Sequence, residues 1–368
     1  GRAAFFTLVG AQGFRSFFSD IIADAQKHNI AEAKADAPPD VPLARILGSL
    51  VGESIRTYRQ ELEYIKADKF KMPYDMEPRH RQFDPRFIFQ SMAGGANEQE
   101  SIIERRAEYR ATDGKMDTKH WIASNLYPEY YKYTFHFQTD GWMSSDSAET
   151  YEYSTETIFG GRQDAMQRTS LVPFSAFWET HKARNPKVLE LAAGTGRFAT
   201  FLRDSYPEVD LTLLELSPYY IEKARQNLNY WERFRRGARD DAKPKPKKTR
   251  FMQAAAEDIP VDDASLDCIV TNYLFHELPP EARRAVFKEV KRVLKPGGTF
   301  ILTDSVQIGD RDARLNPILE MFEKFDEPWY PSYLRENFGK IATEEVGGFA
   351  AGEKYLNSYT KTLTFTRL

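Results

Sequence analysis

The chain has 368 residues, and 51 Lys and Arg stand against 54 Asp and Glu for a formal net charge of −3. That length accommodates two modest domains, or one large domain with an extension, and the weak negative balance gives no bulk attraction for a nucleic acid. The single cysteine, Cys268, excludes an intrachain disulfide or a thiolate metal cluster, no metal site is expected, and no apolar run approaches the roughly 20 residues of a membrane-spanning helix.

Gly1 stands where an initiator methionine would, as after removal of a leader or in a shortened sequence. With the lone thiol, this sets the expectation of a reducing compartment, the interior of a chloroplast or mitochondrion, with the cytoplasm as the alternative. Residues 1–38 are weakly amphipathic, with Phe5, Phe6, Phe14, Phe17 and Phe18 as anchors for packing on a protein partner, and stop at the helix-breaking Ala37-Pro38-Pro39. From Val41 to Lys66, apolar residues including Leu43, Ile46, Leu47, Leu50, Ile55, Leu62 and Ile65 recur at helical spacing and predict one long amphipathic helix. Pro73, Pro78, Pro85 and Gly94-Gly95 punctuate the following stretch as loops, with a short helix near Glu98 to Arg110. Residues 1–120 thus form a mainly helical N-terminal extension.

Residues 121–180 are dense in aromatics, among them Tyr127, Tyr130, Tyr131, Phe135, Phe137 and Trp142, and are read as a cap or lid. His136, Gln138 and Asp140 sit among these rings, either as polar lining of an acceptor site or, at Asp140-Gly141, as a local turn.

After Pro186 short apolar runs alternate with amphipathic helices, the pattern of a doubly wound sheet. Strands are predicted at Lys187–Leu191, Leu211–Glu215, Arg250–Met252, Leu266–Thr271 and Thr299–Thr303, with helices at Pro218–Trp231 and Pro280–Leu294 between them. Right-handed crossovers make these five strands parallel neighbours. Lys340–Val346 and Ser358–Arg367 add an antiparallel hairpin. Residues 181–368 are therefore one α/β domain, a Rossmann-like, seven-stranded doubly wound sheet, mostly parallel with an antiparallel C-terminal hairpin. Within it, the charge run 233–250, with Lys243-Pro-Lys-Pro-Lys-Lys248, reads as a solvated loop or as a contact to acidic protein, RNA or anionic lipid.

Chemistry concentrates at Val188-Leu-Glu-Leu-Ala-Ala-Gly-Thr-Gly-Arg197. An acidic strand end leads into a turn of small residues that opens a helix, where the backbone can approach a ligand. The next strand ends in Glu215, placed for ribose hydroxyls, so the pair predicts a nucleoside site. Glycine spacing differs from the dinucleotide fingerprint, and no phosphate-loop lysine-serine pair follows.

These residues resemble class I S-adenosylmethionine-dependent methyltransferases, in particular the ubiquinone and menaquinone biosynthesis branch. The resemblance covers about residues 185–305 and includes Ala256-Glu257-Asp258-Ile259-Pro260 and Val293-Leu-Lys-Pro-Gly-Gly298. It implies S-adenosylmethionine as cofactor, with Glu190 near the methionine amine and the close turn at Ala192, Gly194 and Gly196. It further implies Glu215 and Leu216 at the ribose, Ala256 and Glu257 beside adenine, and Asn272 at the end of the fourth strand. Two departures are Ala192 for the usual first glycine and Ala255 where an aspartate often contacts adenine.

The segment after the fourth strand, Asn272-Tyr-Leu-Phe-His276-Glu277, should face the transferred methyl. Tyr273 and His276 are candidate catalytic groups there, with His136 from the lid and Asp304 after the fifth strand. His276 has a bland alternative as a helix cap, and Asp304 as a turn cap; Gln307 is a further candidate for holding a polar acceptor. Glu327 to Tyr330 supply either an opposite wall or aromatic packing. The segment lacks the Asn-Pro-Pro-aromatic tetrapeptide of enzymes that methylate amide or adenine nitrogens. The expected function is methyl transfer to a small, partly apolar acceptor. The alternative is a weak or inactive methyltransferase-like subunit that scaffolds an organellar complex, with partners reached through the N-terminal extension or the basic loop.

Overall fold

The computed structural model describes residues 43–87, 124–132, 138, 140–159, 161–236, 246–313, 316–321 and 327–368. Residues 1–42, His136, the expected helix at Glu98 to Arg110 and the basic core of the 233–250 run, residues 237–245, lie outside them.

Seven strands form one sheet: β1 (Lys187–Leu191), β2 (Asp210–Glu215), β3 (Arg250–Gln253), β4 (Leu266–Asn272), β5 (Leu294–Ser305), β6 (Phe349–Asn357) and β7 (Thr360–Arg367). Their order is β3-β2-β1-β4-β5-β7-β6, parallel through β5 and antiparallel for β7 and β6. β1 is buried along four of its five residues, as parallel strands covered on both faces must be. The order reverses between β1 and β4, so a crevice opens at their carboxyl ends.

Two apolar layers cover the sheet. On one side the helix Pro280–Val293, with proline in its first turn, buries Ala282, Val286, Phe287, Val290 and Val293 at helical spacing against Leu189, Ile269 and Phe300. On the other, the helices Leu171–His181, Arg197–Ser205 and Pro218–Arg236 bury Phe174, Phe201 and Trp231 against Val188, Leu211 and Val270. Leu171–His181, part of the expected lid segment, thus sits in the sheet's own core.

The predicted long helix forms at Leu43–Lys66, and described residues within and after it contact the sheet and its covering helices. Phe70 and Tyr74 lie within the second apolar layer. Glu61 forms a buried ion pair with Arg168 at 2.5 Å, and Gln60 Nε2 donates to the Leu356 carbonyl at 2.9 Å.

One element differs from expectation. Lys340–Val346 is not a strand: Phe338–Lys340 and Ile341–Glu345 are helical turns. Asn337 caps them by accepting from the Lys340 amide, and Phe338, Ile341 and Ala342 are buried at the i, i+3, i+4 spacing of a helix face. Gly347 (φ 66) and Gly348 (φ 80) end the turns, and the first hairpin strand is β6, whose run had been assigned to the connection.

Candidate active site

The turn after β1 is built on three left-handed residues, Ala192 (φ 54), Gly194 (φ 54) and Gly196 (φ 67). The succession aims backbone amides at the end of β2: Gly194 N donates to Glu215 Oε2 and Ser217 N to Glu215 Oε1, both at 2.8 Å. Burial pushes the Glu215 carboxyl up, and these amide bonds oppose the rise. Glu190, one residue before the end of β1, is 2% exposed, and its Oε2 has no hydrogen-bond partner. Burial, reinforced by the charge of Glu215, holds its carboxyl well above the ordinary value, so the site favours a cation beside it.

The two glycines have different tasks. A Cβ on Gly194 would meet nothing within 4 Å, so this position borders open space. A Cβ on Gly196 would lie 2.8 Å from the Ala224 Cβ, so this one permits helix-to-helix approach and lines neither of the two cavities beside the turn.

Two cavities, each open to solvent, flank the turn and share Tyr151, Ala192, Gly194, Asn272 and Tyr273. The Glu215 cavity, about 750 Å³, has a floor of Leu214, Leu216, Ala254 and Ala256 and a roof of Tyr130, Tyr131 and Trp142. The roof is fastened: the Tyr130 hydroxyl donates to Glu257, Gln253 Nε2 reaches the Tyr127 hydroxyl at 3.2 Å, and the Ser217 hydroxyl donates to the Trp142 carbonyl. Glu257 is therefore turned to the lid and does not line the cavity, while Ala255 packs with the Tyr127, Met143 and Leu216 cluster, an apolar contact in place of a polar one.

The Glu190 cavity, about 890 Å³, gathers chain segments that lie far apart in sequence. His80–Gln82 and Phe87 come from the N-terminal region, Glu152 and Glu156 from the helix Ser145–Ile158, and Gln163 and Gln167 from the helix Gln163–Gln167. Arg197 clamps them to the turn: its Nη2 donates to Asp75 and Asp164, each at 2.6 Å, and its Nη1 to the Tyr74 hydroxyl at 3.1 Å. Tyr74 is buried within this clamp, which pushes its phenol up to about 12.

Asn272 and Tyr273 end β4 at the junction of the cavities. Ser170 donates to Asn272 Oδ1 at 2.7 Å, and Asn272 Nδ2 is left without a partner. Tyr273 holds a left-handed backbone (φ 57), a strain found at sites where the surroundings impose it. Its hydroxyl is engaged with Thr360 at 2.5 Å.

His276 and Asp304 lie behind this edge and line neither cavity. His276 Nδ1 is 2.6 Å from Asp304 Oδ1, its Nε2 is 3.3 Å from Glu277, and Asp304 Oδ2 accepts the Phe275 and His276 amides. Burial works to lower the imidazole pKa, but the two carboxylates outweigh it and hold the ring protonated, so both nitrogens are donors. His276 lies inside the turn Phe275–Glu277 as the ion-pair partner of Asp304 and caps neither that turn nor the helix from Pro280, while Asp304 caps the turn by accepting its amides. Gln307 is likewise engaged internally, with Lys361 and the Tyr333 carbonyl, and Tyr330 packs against Tyr333. Asp140 (φ 55) and Gly141 (φ 56) form a turn, and Gln138 donates to Ser147 at 2.6 Å.

Of the expected cofactor residues, Glu190, Ala192, Gly194, Glu215, Leu216, Ala256 and Asn272 line the cavities, as does Tyr273 among the expected catalytic ones. Glu152, Glu156, Gln163, Gln167 and Arg197 were not foreseen. Their available signal was i, i+4 pairing on short helices, which has no meaning until the helices are placed.

Residues 188–298 match the family model described as a methyltransferase domain. The chain is 33% identical over 153 residues to malonyl-[acyl-carrier protein] O-methyltransferase of Paenibacillus sp. (strain JDR-2), covering 40% of this chain and 46% of that protein. It is 31% identical over 179 residues to demethylmenaquinone methyltransferase of Thermotoga maritima, covering 48% and 62%. A solved SAM-dependent methyltransferase from Aquifex aeolicus superposes with a TM-score of 0.36 at 19% identity, over 52% of this chain and 89% of that one. The chain spans about half the length of the curated relatives it matches.

Proposed function

We propose, from the match of residues 188–298 to the methyltransferase-domain model and from the geometry of the site, that the chain binds S-adenosylmethionine across the turn after β1 and moves its methyl group to a small, partly apolar acceptor. The observation that carries this reading is the buried, partnerless Glu190 Oε2 at the edge of a cavity that joins a second one bearing Glu215. A carboxylate that burial has raised needs a cation, and the methionine ammonium is one; the carboxylate closing β2 suits ribose hydroxyls. Leu216, Ala254 and Ala256 beneath Tyr130 and Tyr131 make an apolar slot for a purine.

When bound, the cofactor supplies a sulfonium methyl carbon activated for in-line displacement. The protein's part is positional: Glu190, the Gly194 turn and Glu215 fix one reactant, and the side of the Glu190 cavity remote from Glu215 receives the other. Tyr273 at the junction contributes its ring, since its hydroxyl is already bonded to Thr360.

Calorimetric titration with S-adenosylmethionine and with its demethylated product tests the reading. Binding at a hundredfold excess over Kd should stabilise the fold by about 2.7 kcal/mol, and Glu190→Ala and Glu215→Ala should abolish the heat. Absence of heat and of a melting shift with both compounds would refute it.

A further inference from the structure

The side of the Glu190 cavity remote from Glu215 has a chemistry of its own. Glu152 and Glu156 stand one helical turn apart on its wall, and Gln163 and Gln167 stand one turn apart on another. Gln163 and Gln167 are 3% and 9% exposed, and the side-chain carbonyl of each has no hydrogen-bond partner. These two buried amide oxygens accept and do not donate. The two arginines of the lining are occupied: Arg197 by Asp75 and Asp164, and Arg81 stacked at 4.3 Å over Tyr230. Rings of Tyr151, Tyr273 and Phe87 line the same space.

Acceptor oxygens left unmatched inside a cavity call for a ligand rich in N–H donors, carboxylates call for positive charge, and aromatic faces suit a cation on an apolar body. We propose that the methyl acceptor is an amine, protonated on arrival and carried on an aromatic or alkyl body. This rests on the proposed methyl transfer and narrows its acceptor to nitrogen. The ammonium gives one proton to Glu152, a half-buried carboxylate from which it passes to solvent. The freed lone pair then forms the N–C bond to the methyl carbon as the C–S bond breaks and its electron pair stays on sulfur. The product leaves as an N-methylammonium beside a neutral thioether.

Phenethylamine, benzyl alcohol and phenylacetate are titrated by calorimetry into the full chain saturated with S-adenosylhomocysteine, and each is assayed for transfer of labelled methyl. The amine alone is expected to bind. Glu152→Gln and Gln163→Leu should each weaken it tenfold or more while cofactor affinity stays unchanged, and Glu152→Gln, at the less buried position, guards against a folding failure. Binding of the alcohol or the acid in preference to the amine, or amine affinity indifferent to both substitutions, overturns the proposal while leaving methyl transfer standing. Failure of S-adenosylhomocysteine to bind strikes the parent reading instead.

Discussion

Alanine at Gly196 and alanine at Gly194 should separate stability from binding. Both glycines are left-handed, and an L side chain there costs about 1–2 kcal/mol. At Gly196 the new methyl also meets the Ala224 Cβ at 2.8 Å and its Cα at 3.1 Å, neither of them the end of a flexible side chain. Overpacking of that kind adds about 1–3 kcal/mol. The gain from a stiffer unfolded chain is common to both variants and cancels in the comparison. At about 2 °C per kcal/mol, Gly196→Ala should melt about 2 to 6 °C below Gly194→Ala, measured without cofactor. Binding should order the other way: Gly194→Ala puts a methyl into the cavity where a ligand must come close, and should lose at least about tenfold in affinity, or 1.4 kcal/mol. Coincident melting curves, or a Gly194→Ala protein that binds as the parent does, would refute the division of labour between the two positions.

Glu190 predicts a pH dependence. Its folded pKa is raised above the unfolded 4.5, so its contribution to stability is complete below that value and is lost as pH rises through the folded one. Urea unfolding of the cofactor-free protein should show the parent falling relative to Glu190→Gln across this window, and parallel curves would contradict the reading. Breaking the buried Glu61–Arg168 pair with Arg168→Ala should cost about 3–5 kcal/mol by leaving a carboxylate alone; adding Glu61→Gln should restore part of the loss, and the same denaturation series reads both. His276→Asn should lower the melting temperature through Asp304 yet keep turnover, with any acceptor found, within about tenfold of the parent, well short of the roughly hundredfold lower bound of a general base's contribution. A hundredfold loss with an unchanged melt would return His276 to the chemistry.

The part of the site built on strand ends was legible because it is local. Glu190, Gly194 and Glu215 lie at strand ends, and strand ends are marked by apolar runs that stop. The far wall of the Glu190 cavity was not, because Phe87, Glu152 and Gln163 are brought together by long-range contacts such as Arg197–Asp75, and no pattern in a single sequence announces a contact 122 residues long. Lys340–Val346 shows the converse error. Its β-branched residues suit a strand, but Asn337 and the burial of Ile341 and Ala342 decided for helical turns. His276 was legible as a residue but its pairing was not, since its partner Asp304 comes from another strand.

The clamp also sets a timetable for the ribosome. Asp75 is made long before Arg197, its partner. At roughly 5–20 residues per second, about 6 to 24 seconds pass in which a carboxylate destined for full burial lacks the guanidinium of Arg197. The wall of the Glu190 cavity cannot be finished during that interval, whatever helix has already formed upstream. A nascent chain halted before Arg197 should therefore leave the Tyr74–Asp75 turn open to proteases that the completed protein resists.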